Sequence, residues 1–269
     1  MKTFTTTLFL IMICSCTAFG EENKLNILVI GDSHTAQSFG IMMHGRLSTL
    51  NNTQVATYGR CGSSPVHWTK TSHRWVTPCG FFNGASTDTI TGLRGKFLKT
   101  PLVDNLLANI DPAQDIPIKA DLVVVALGAN QINSVGSDPQ LDPEVANTKL
   151  EDAANTVVAL VDKIRLSGAK CVWIGPPDGS LRKKPKYKQD RLYEMLVTAH
   201  VKAGNYCQFL SSRESSLPFM SYPKEDSGCQ RDGAHLDACT EGRIKSVMWV
   251  ERMISEIKTY VKERMGHNL

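Results

Sequence analysis

The chain has 269 residues, of which 42% are hydrophobic and 21% charged, and its formal net charge is +4. This length suits one sizeable hydrophobic core, and no linker-like stretch divides it. The positive charge is too small and too dispersed to predict a nucleic-acid partner. We therefore expect a single domain over residues 21–269.

The first 20 residues have the pattern of an export signal peptide. An apolar run from Leu8 to Ile13 is followed by small residues up to Gly20. The run is too short to span a bilayer, which takes roughly 20 residues. We expect cleavage after Gly20 and a periplasmic or extracellular protein. A rival interpretation is lipoprotein processing at Cys16, which would anchor the protein to a membrane through an acyl group.

Short β-branched runs and helical patterns then alternate along the chain. The predicted strands are Leu25 to Ile30, Gln54 to Tyr58, Leu122 to Leu127, Cys171 to Ile174 and Tyr206 to Leu210. The predicted helices are Thr35 to Leu50, Asn147 to Ser167, Gln189 to Ala203 and Glu241 to Lys262. Continuous apolar strands are typical of a parallel sheet buried on both faces. The alternation predicts an α/β sandwich with sites at the C-terminal ends of its strands.

The first predicted strand ends on Gly31-Asp32-Ser33-His34. Ser33 lies where strand gives way to helix, so its own N–H group and the helix N-terminus would favour negative charge beside its hydroxyl. Taken alone, Asp32 and Ser33 fit a helix cap better than a nucleophile, because Asp and Ser are favoured capping residues. A serine hydroxyl becomes a nucleophile only beside a base, and the base needs a group that orients it.

Candidate partners for Ser33 follow later in the chain. Asp232 and His235 are three residues apart, which lets the carboxylate hold one imidazole nitrogen while the other faces a serine. Asn130 follows the third predicted strand and can donate its amide to an oxyanion, and Gly62 can offer a backbone N–H. Each of these residues alone also fits a plain role as a cap, a surface residue or a turn.

Four blocks together resemble the SGNH, or GDSL-type, serine hydrolase superfamily. They are Gly31 to His34, Gly59 to Ser63, Gly128 to Gln131 and Asp232 to His235. The resemblance implies a flavodoxin-like three-layer α/β/α sandwich with a central parallel sheet of about five strands. It implies that Ser33 attacks an ester, His235 is the general base and Asp232 orients it. The Ser33 N–H, the Gly62 N–H and the Asn130 amide would form the oxyanion hole.

Two residues depart from the usual blocks of the superfamily. His34 stands in place of the usual leucine, which resembles bacterial cell-envelope members that remove O-acetyl groups from sugars. Gln131 replaces the usual aspartate after Asn130. Neither residue is expected to touch a reacting atom, so the departures leave the implied activity intact. They leave the subfamily open.

The segment 60–121 does not fit the alternation, and a loop of this length is usually either functional or wrongly assigned as a loop. It contains Trp68 and Trp75 among hydrogen-bonding side chains. Flat aromatic rings beside polar groups suit sugar rings, so we expect Trp68, Trp75, Arg60 and His34 to contact the substrate. Either tryptophan can instead belong to the core.

These observations favour an exported serine esterase that removes acyl, above all O-acetyl, groups from a carbohydrate or peptidoglycan through an acyl-enzyme. We expect no metal and no other cofactor. The partner is an acylated glycan or a small ester, and membrane contact follows only if Cys16 is lipidated. An acylesterase or lipase on short-chain lipid esters, an O-acyltransferase with the same triad, and a non-catalytic glycan-binding module remain alternatives.

Export also bears on the cysteines, since disulfides form in oxidising compartments. Two of the eight cysteines lie in the signal, and the others form an even set. We predict the pairs Cys61–Cys79, Cys171–Cys207 and Cys229–Cys239. The first would close an irregular loop, the second would join the starts of two strands, and the third would clamp the segment that holds Asp232 and His235.

Overall fold

The computed structural model of the chain describes residues 24–70, 74–76, 81–84, 97–99, 102–217, 223, 234–236 and 239–269. The expected signal peptide, residues 1–20, and the alternative lipidation site Cys16 lie outside these ranges, so both stay predictions. No helix among the described residues has the length and apolar character needed to cross a membrane.

Strands and helices follow one another along the described residues from Leu25 onward, with three short strands in succession between two helices. The strands are β1 (Leu25–Gly31), β2 (Thr53–Arg60), β3 (Arg74–Val76), β4 (Phe81–Gly84), β5 (Phe97–Lys99), β6 (Leu122–Ala126), β7 (Lys170–Ile174) and β8 (Gln208–Leu210). The helices are α1 (Ser38–Ser48), α2 (Pro65–Thr69), α3 (Val103–Ala108), α4 (Pro143–Ser167), α5 (Lys186–Lys202) and α6 (Thr240–Met265).

The main sheet has the order β4-β2-β1-β6-β7-β8. Five neighbouring strands of this sheet are parallel: β2, β1, β6, β7 and β8. Strand β4 runs antiparallel along the outer side of β2. The parallel part has the 2-1-3-4-5 order of flavodoxin-like folds, which confirms the predicted fold class. The separate antiparallel pair β3 and β5, like β4, falls in the segment that the sequence pattern left irregular.

Alternate residues of β1 enter two different hydrophobic cores, one on each face of the sheet. Ile27 and Val29 pack into the core that α1 and α6 cover, whereas Leu28 and Ile30 pack into the core covered by helices from α2 to α5. All four side chains are fully buried. A strand that is apolar on both sides is what this three-layer arrangement requires.

Local signals explain where the longest predicted helices begin and end. Helix α4 starts one turn earlier than predicted, because the Asp142 side chain accepts hydrogen bonds from the backbone N–H groups of Glu144 and Val145. It ends where predicted, at Gly168, whose φ of 82° is accessible to glycine at little cost. Helix α6 starts beside Cys239, whose sulfur accepts from the N–H of Gly242.

One disulfide joins Cys171 at the start of β7 to Cys207 just before β8, with the two Cα atoms 4.5 Å apart. This is the pairing that the sequence predicted. Cys61 and Cys239 are also disulfide-bonded. Their predicted partners, Cys79 and Cys229, lie outside the described residues, so those two pairings stay predictions.

Candidate active site

The strand order places the site at the C-terminal edge between β1 and β6. The chain proceeds from β1 to β2 on one side and from β6 to β7 on the other, so the order reverses between these two neighbours. Open α/β sheets bind ligands in the crevice at such a reversal. Strand β1 leads directly to Ser33 there, and β6 leads to Asn130.

Glycines allow the turn after β1 to pack tightly against its neighbours. A Cβ atom added to Gly31 would lie 1.9 Å from the Thr35 Oγ1 atom, and one added to Gly59 would lie 2.4 Å from the Ala36 nitrogen. No side chain fits at either position without moving backbone or a packed hydroxyl. The turn is therefore seated directly on the ends of β1 and β2, which fixes Ser33 at the sheet edge with 5% of its surface exposed.

The helix after this turn starts later than predicted. Helix α1 begins at Ser38, whereas the sequence pattern placed its start at Thr35. Ser33 therefore lies in the turn ahead of α1 and not at its first residue. Because the field of a helix N-terminus falls off within about one turn, α1 contributes less at the Ser33 hydroxyl than the sequence suggested.

The two other expected oxyanion donors lie in loops that touch each other. Asn130 sits in a single 3₁₀ turn, Ala129–Gln131, after β6, and its Nδ2 atom donates to the Ser63 carbonyl oxygen over 2.9 Å. Gly62 precedes Ser63 and has a φ of 80°, which favours glycine. The bond engages one of the two N–H groups of the amide. It holds the loop after β6 against the loop after β2.

Trp68 is part of the core, so its predicted contact with substrate is wrong. Its side chain is fully buried, and its Nε1 atom donates to the Ser63 hydroxyl over 3.3 Å. That hydroxyl donates in turn to the Gly31 carbonyl oxygen at the end of β1. A ring with no exposed face cannot stack on a sugar, and Trp68 instead supports the loop that carries Gly62.

Arg60 is also turned inward, which corrects its predicted contact with substrate. It is 4% exposed, and its Nη1 atom donates to the carbonyl oxygens of Gly59 and Phe82. Burial lowers the pKa of its guanidinium to about 10, while the neighbouring Tyr58 opposes that shift. Arg60 therefore links β2 to β4. The side chain of Trp75 lies outside the described residues, so its role stays a prediction.

The sequence predicted that His34 contacts the substrate. In the structure its side chain instead faces the interior of the site. It is 7% exposed, and its Nδ1 atom lies 3.1 Å from the Asp32 Oδ1 atom. The same carboxylate oxygen accepts from the His34 backbone N–H. The Trp249 ring from α6 lies nearly perpendicular to the imidazole, with the ring centroids 5.8 Å apart.

The chain returns to this edge at residues 234–236. The ring centroids of His235 and His34 are 5.1 Å apart, so the expected general base lies beside the Ser33 turn. Leu236 packs so closely on α6 that a Cβ atom on Gly242 would lie 1.5 Å from the Leu236 carbonyl oxygen. Asp232, the expected orienting acid, lies outside the described residues.

The structure thus brings Ser33, the Gly62 loop, Asn130 and His235 to one edge. The buried pair of Asp32 and His34 is a part of the site that the sequence pattern did not predict. The sequence pattern indicated Asp32 only as a candidate helix cap, and the departure at His34 was the one available signal. The second contact of His34 is with the Ala234 carbonyl oxygen, which comes from the other end of the chain, so a local pattern does not reveal it.

Fold and site together define a three-layer α/β sandwich with a candidate hydrolase site at the strand-order reversal. No family model and no curated protein matches the sequence. Among solved structures, the chain is similar to an acetyl xylan esterase, AlAXEase, with a TM-score of 0.50 and 14% identity over 87% of this chain and 100% of that chain. This likeness agrees with the fold that the superfamily resemblance implied.

Two further solved structures align at lower TM-scores. A peptidoglycan O-acetylesterase has a TM-score of 0.48 and 15% identity, over 89% of this chain and 93% of that chain. A carbohydrate acetylesterase from Sinorhizobium meliloti has a TM-score of 0.45 and 15% identity, over 87% of this chain and 100% of that chain.

Proposed function

We propose that the chain is an exported serine esterase that hydrolyses acyl esters, above all O-acetyl esters, on a carbohydrate or peptidoglycan. The observation that carries the proposal is the convergence of Ser33, Asn130 and His235 at the strand-order reversal between β1 and β6. A nucleophile, an oxyanion donor and a base at one edge are what acyl transfer requires.

In the proposed reaction the Ser33 oxygen attacks the ester carbonyl carbon, and His235 accepts the hydroxyl proton. The tetrahedral intermediate collapses, the protonated His235 gives its proton to the departing alkoxide, and the acyl group stays on Ser33. Water then attacks the acyl-enzyme with His235 again as base, which releases the carboxylic acid and restores the serine. Asp232 would hold the imidazole in the tautomer that this cycle needs.

The oxyanion donors would come from three loops at the same edge. The Ser33 and Gly62 N–H groups are backbone donors, and the Asn130 amide has a second N–H beyond the one given to Ser63. Ser63 is fully buried, and its hydroxyl accepts a hydrogen bond from Trp68 and donates one to the carbonyl oxygen at the end of β1. Since Asn130 is bonded to the Ser63 carbonyl oxygen, its side chain is held in place before substrate binds. Donors fixed in advance stabilise developing charge without reorganising.

The sugar-ester preference rests on the resemblance at His34 and on the names of the structural neighbours, which act on acetylated xylan, carbohydrate or peptidoglycan. With Trp68 and Arg60 buried, Trp75 is the aromatic residue proposed to face a sugar. Acetyl selectivity would show as falling turnover with increasing acyl length on p-nitrophenyl esters. A clear preference for long chains would instead indicate a lipase.

Turnover of p-nitrophenyl acetate by a Ser33→Ala variant tests the enzyme class. We expect kcat to fall by at least about 1,000-fold, because removing the serine of a catalytic triad can cost about 10⁶-fold. Ser48→Ala is the matched control, because Ser48 is exposed at the far end of α1. Full residual turnover in Ser33→Ala would refute the esterase. Product analysis with an added sugar acceptor separates hydrolysis from O-acyl transfer.

Export is tested separately, through the mass of the protein recovered from its producing cells. Cleavage after Gly20 predicts a chain that starts at Glu21. A mass that fits an acylated Cys16 would instead establish membrane anchoring, and an uncleaved chain would contradict both forms of export.

A further inference from the structure

Both ring nitrogens of His34 face oxygen atoms that only accept hydrogen bonds. The Nδ1 atom lies 3.1 Å from the Asp32 carboxylate, and the Nε2 atom lies 3.3 Å from the Ala234 carbonyl oxygen. A neutral imidazole has one N–H donor, whereas the imidazolium has two. The pair of contacts is therefore satisfied in full only when His34 is protonated.

The surroundings of His34 support this charge. Burial lowers the pKa of the imidazole, but the hydrogen bond and negative charge of Asp32, with a contribution from the Ala234 carbonyl, outweigh burial and raise it overall. The charge of Lys184 opposes the rise. Among the described residues, the rings beside His34 are those of the titratable His235 and the uncharged Trp249.

We propose that His34, as an imidazolium held by Asp32, is a positioning residue that fixes the His235 segment beside Ser33, and that its deprotonation sets the alkaline limit of esterase activity. This inference rests on the proposed function. It adds a residue and a pH limit to that site without changing the reaction.

The geometry explains why one hydrogen bond matters here. His235 is flanked by two anchors, since Ala234 contacts His34 and Leu236 packs against Gly242 of α6. When His34 loses its proton, it can keep only one of its two donor bonds. The bond to the carboxylate is the stronger of the two because its acceptor is charged. The hydrogen bond to the Ala234 carbonyl is then lost, which weakens one of the contacts that position His235 beside Ser33.

The consequence is an alkaline decline in kcat. Activity falls as His34 loses its proton and gives up its hydrogen bond to Ala234. Displacement of a catalytic group by about 1 Å can cost about 100-fold in rate, so the alkaline decline should be easy to detect.

Two amide variants test the proposal, because each preserves one of the two hydrogen bonds that His34 makes, to Ala234 or to Asp32. The Gln amide of His34→Gln reaches the position of Nε2 and can donate to Ala234 at every pH. The Asn amide of His34→Asn reaches the position of Nδ1 and keeps only the bond to Asp32. We expect both variants to lose the alkaline decline in kcat. His34→Asn should lower kcat by about 10- to 100-fold with KM unchanged, and His34→Gln should retain more activity.

A matched control and a double-variant cycle separate positioning from general damage. His200→Gln alters another buried histidine, on α5, and should leave the pH profile unchanged. In a His235→Ala background, His34→Asn should have no further effect on the residual rate, because its partner in catalysis is already absent. Additive losses would overturn the inference.

NMR titration of the unmodified protein keeps the test independent of how the variants fold. A histidine resonance that titrates above pH 6.5 and disappears in His34→Gln is the expected result. Its absence, or an alkaline decline that persists in both amide variants, would overturn the role of His34. Full turnover in Ser33→Ala would instead refute the esterase itself, so the two failures are distinguishable.

Discussion

Two buried histidines, His34 at the sheet edge and His200 on α5, have opposite charge preferences. They are 7% and 3% exposed, so their burial is nearly the same. His34 has a carboxylate and a carbonyl as partners, which raise its pKa despite burial. His200 has only the Leu196 carbonyl, on Nδ1, and its Nε2 atom has no hydrogen-bond partner among the described residues.

Two aromatic rings also lie beside His200. Its ring lies 5.3 Å from that of Trp173 and 4.8 Å from that of Phe209. Burial lowers the pKa of His200, and the Leu196 carbonyl offsets this only in part. The difference shows that burial by itself favours the neutral ring, and that acceptors on both nitrogens are what keep a buried histidine charged. A buried histidine therefore indicates a polar site only where such acceptors meet it.

The largest expected effect comes from removing the carboxylate that makes the two histidines different. Asp32→Ala leaves the His34 imidazolium without its buried counter-ion, and breaking a buried pair in this way costs about 3–5 kcal/mol. Urea unfolding at pH 6 measures the loss. Asp121→Ala is the control, since that exposed carboxylate accepts from the Asn26 N–H at the opposite end of β1. Equal losses in the two variants would contradict a buried ion pair.

A second comparison substitutes leucine for each histidine. His34→Leu removes the imidazole hydrogen bond to the buried Asp32 carboxylate and keeps the bond from the backbone N–H of residue 34, so we expect a loss of about 2 kcal/mol in the free energy of unfolding. His200→Leu removes a ring nitrogen that has no partner, so we expect a change within about 1 kcal/mol of zero. Both are read from urea unfolding at pH 6. A larger loss at His200 would show that burial, and not the acceptors, sets the stability of these rings.

The same comparison shows what a sequence pattern can predict. Strands β1, β2, β6 and β7 were predicted within two residues at each end, because each is a continuous apolar run bounded by polar turns. Strands β3, β4 and β5 were missed. They are short, and their pairings depend on distant segments and not on local periodicity.

The sequence blocks predicted which segments meet at the sheet edge, but they did not predict which side chains in those segments are buried. Ser33 and Asn130 follow apolar strands, so the topology alone takes them to one edge. Trp68 and Arg60 have residue types that fit either a sugar-binding surface or a buried support, and only the packed structure distinguishes the two. The contact between His34 and Ala234 joins residues 200 positions apart, beyond the reach of any local pattern.

The pH dependence of stability should separate the two histidines by sign. The pKa of His34 is raised in the folded state, so its contribution is complete below pH 6.5 and is lost as pH rises through the folded value. The pKa of His200 is lowered, so its contribution is complete above pH 6.5 and is lost as pH falls through the folded value. Urea unfolding between pH 5 and 9 measures both.

Single variants show which histidine causes the loss of stability on the alkaline side and which causes it on the acidic side. Relative to the unmodified protein, His34→Gln should remove the decline above pH 6.5, and His200→Leu should remove the decline below it. Differences between curves cancel the titration of the carboxylates, which both proteins share. If His34→Gln changed only the acidic side, His34 would be neutral when folded.

The smallest expected effect concerns Lys184, whose positive charge is what partly opposes the protonation of His34. Lys184→Met should move the pKa of His34 upward and carry the alkaline decline in kcat to higher pH. Lys183→Met is the control, because it removes the same charge from the adjacent exposed residue, which is not among the groups that shift His34. NMR titration of His34 measures both. Equal shifts in the two variants would show that the imidazolium responds to the overall charge of the protein and not to the neighbours that distinguish it from His200.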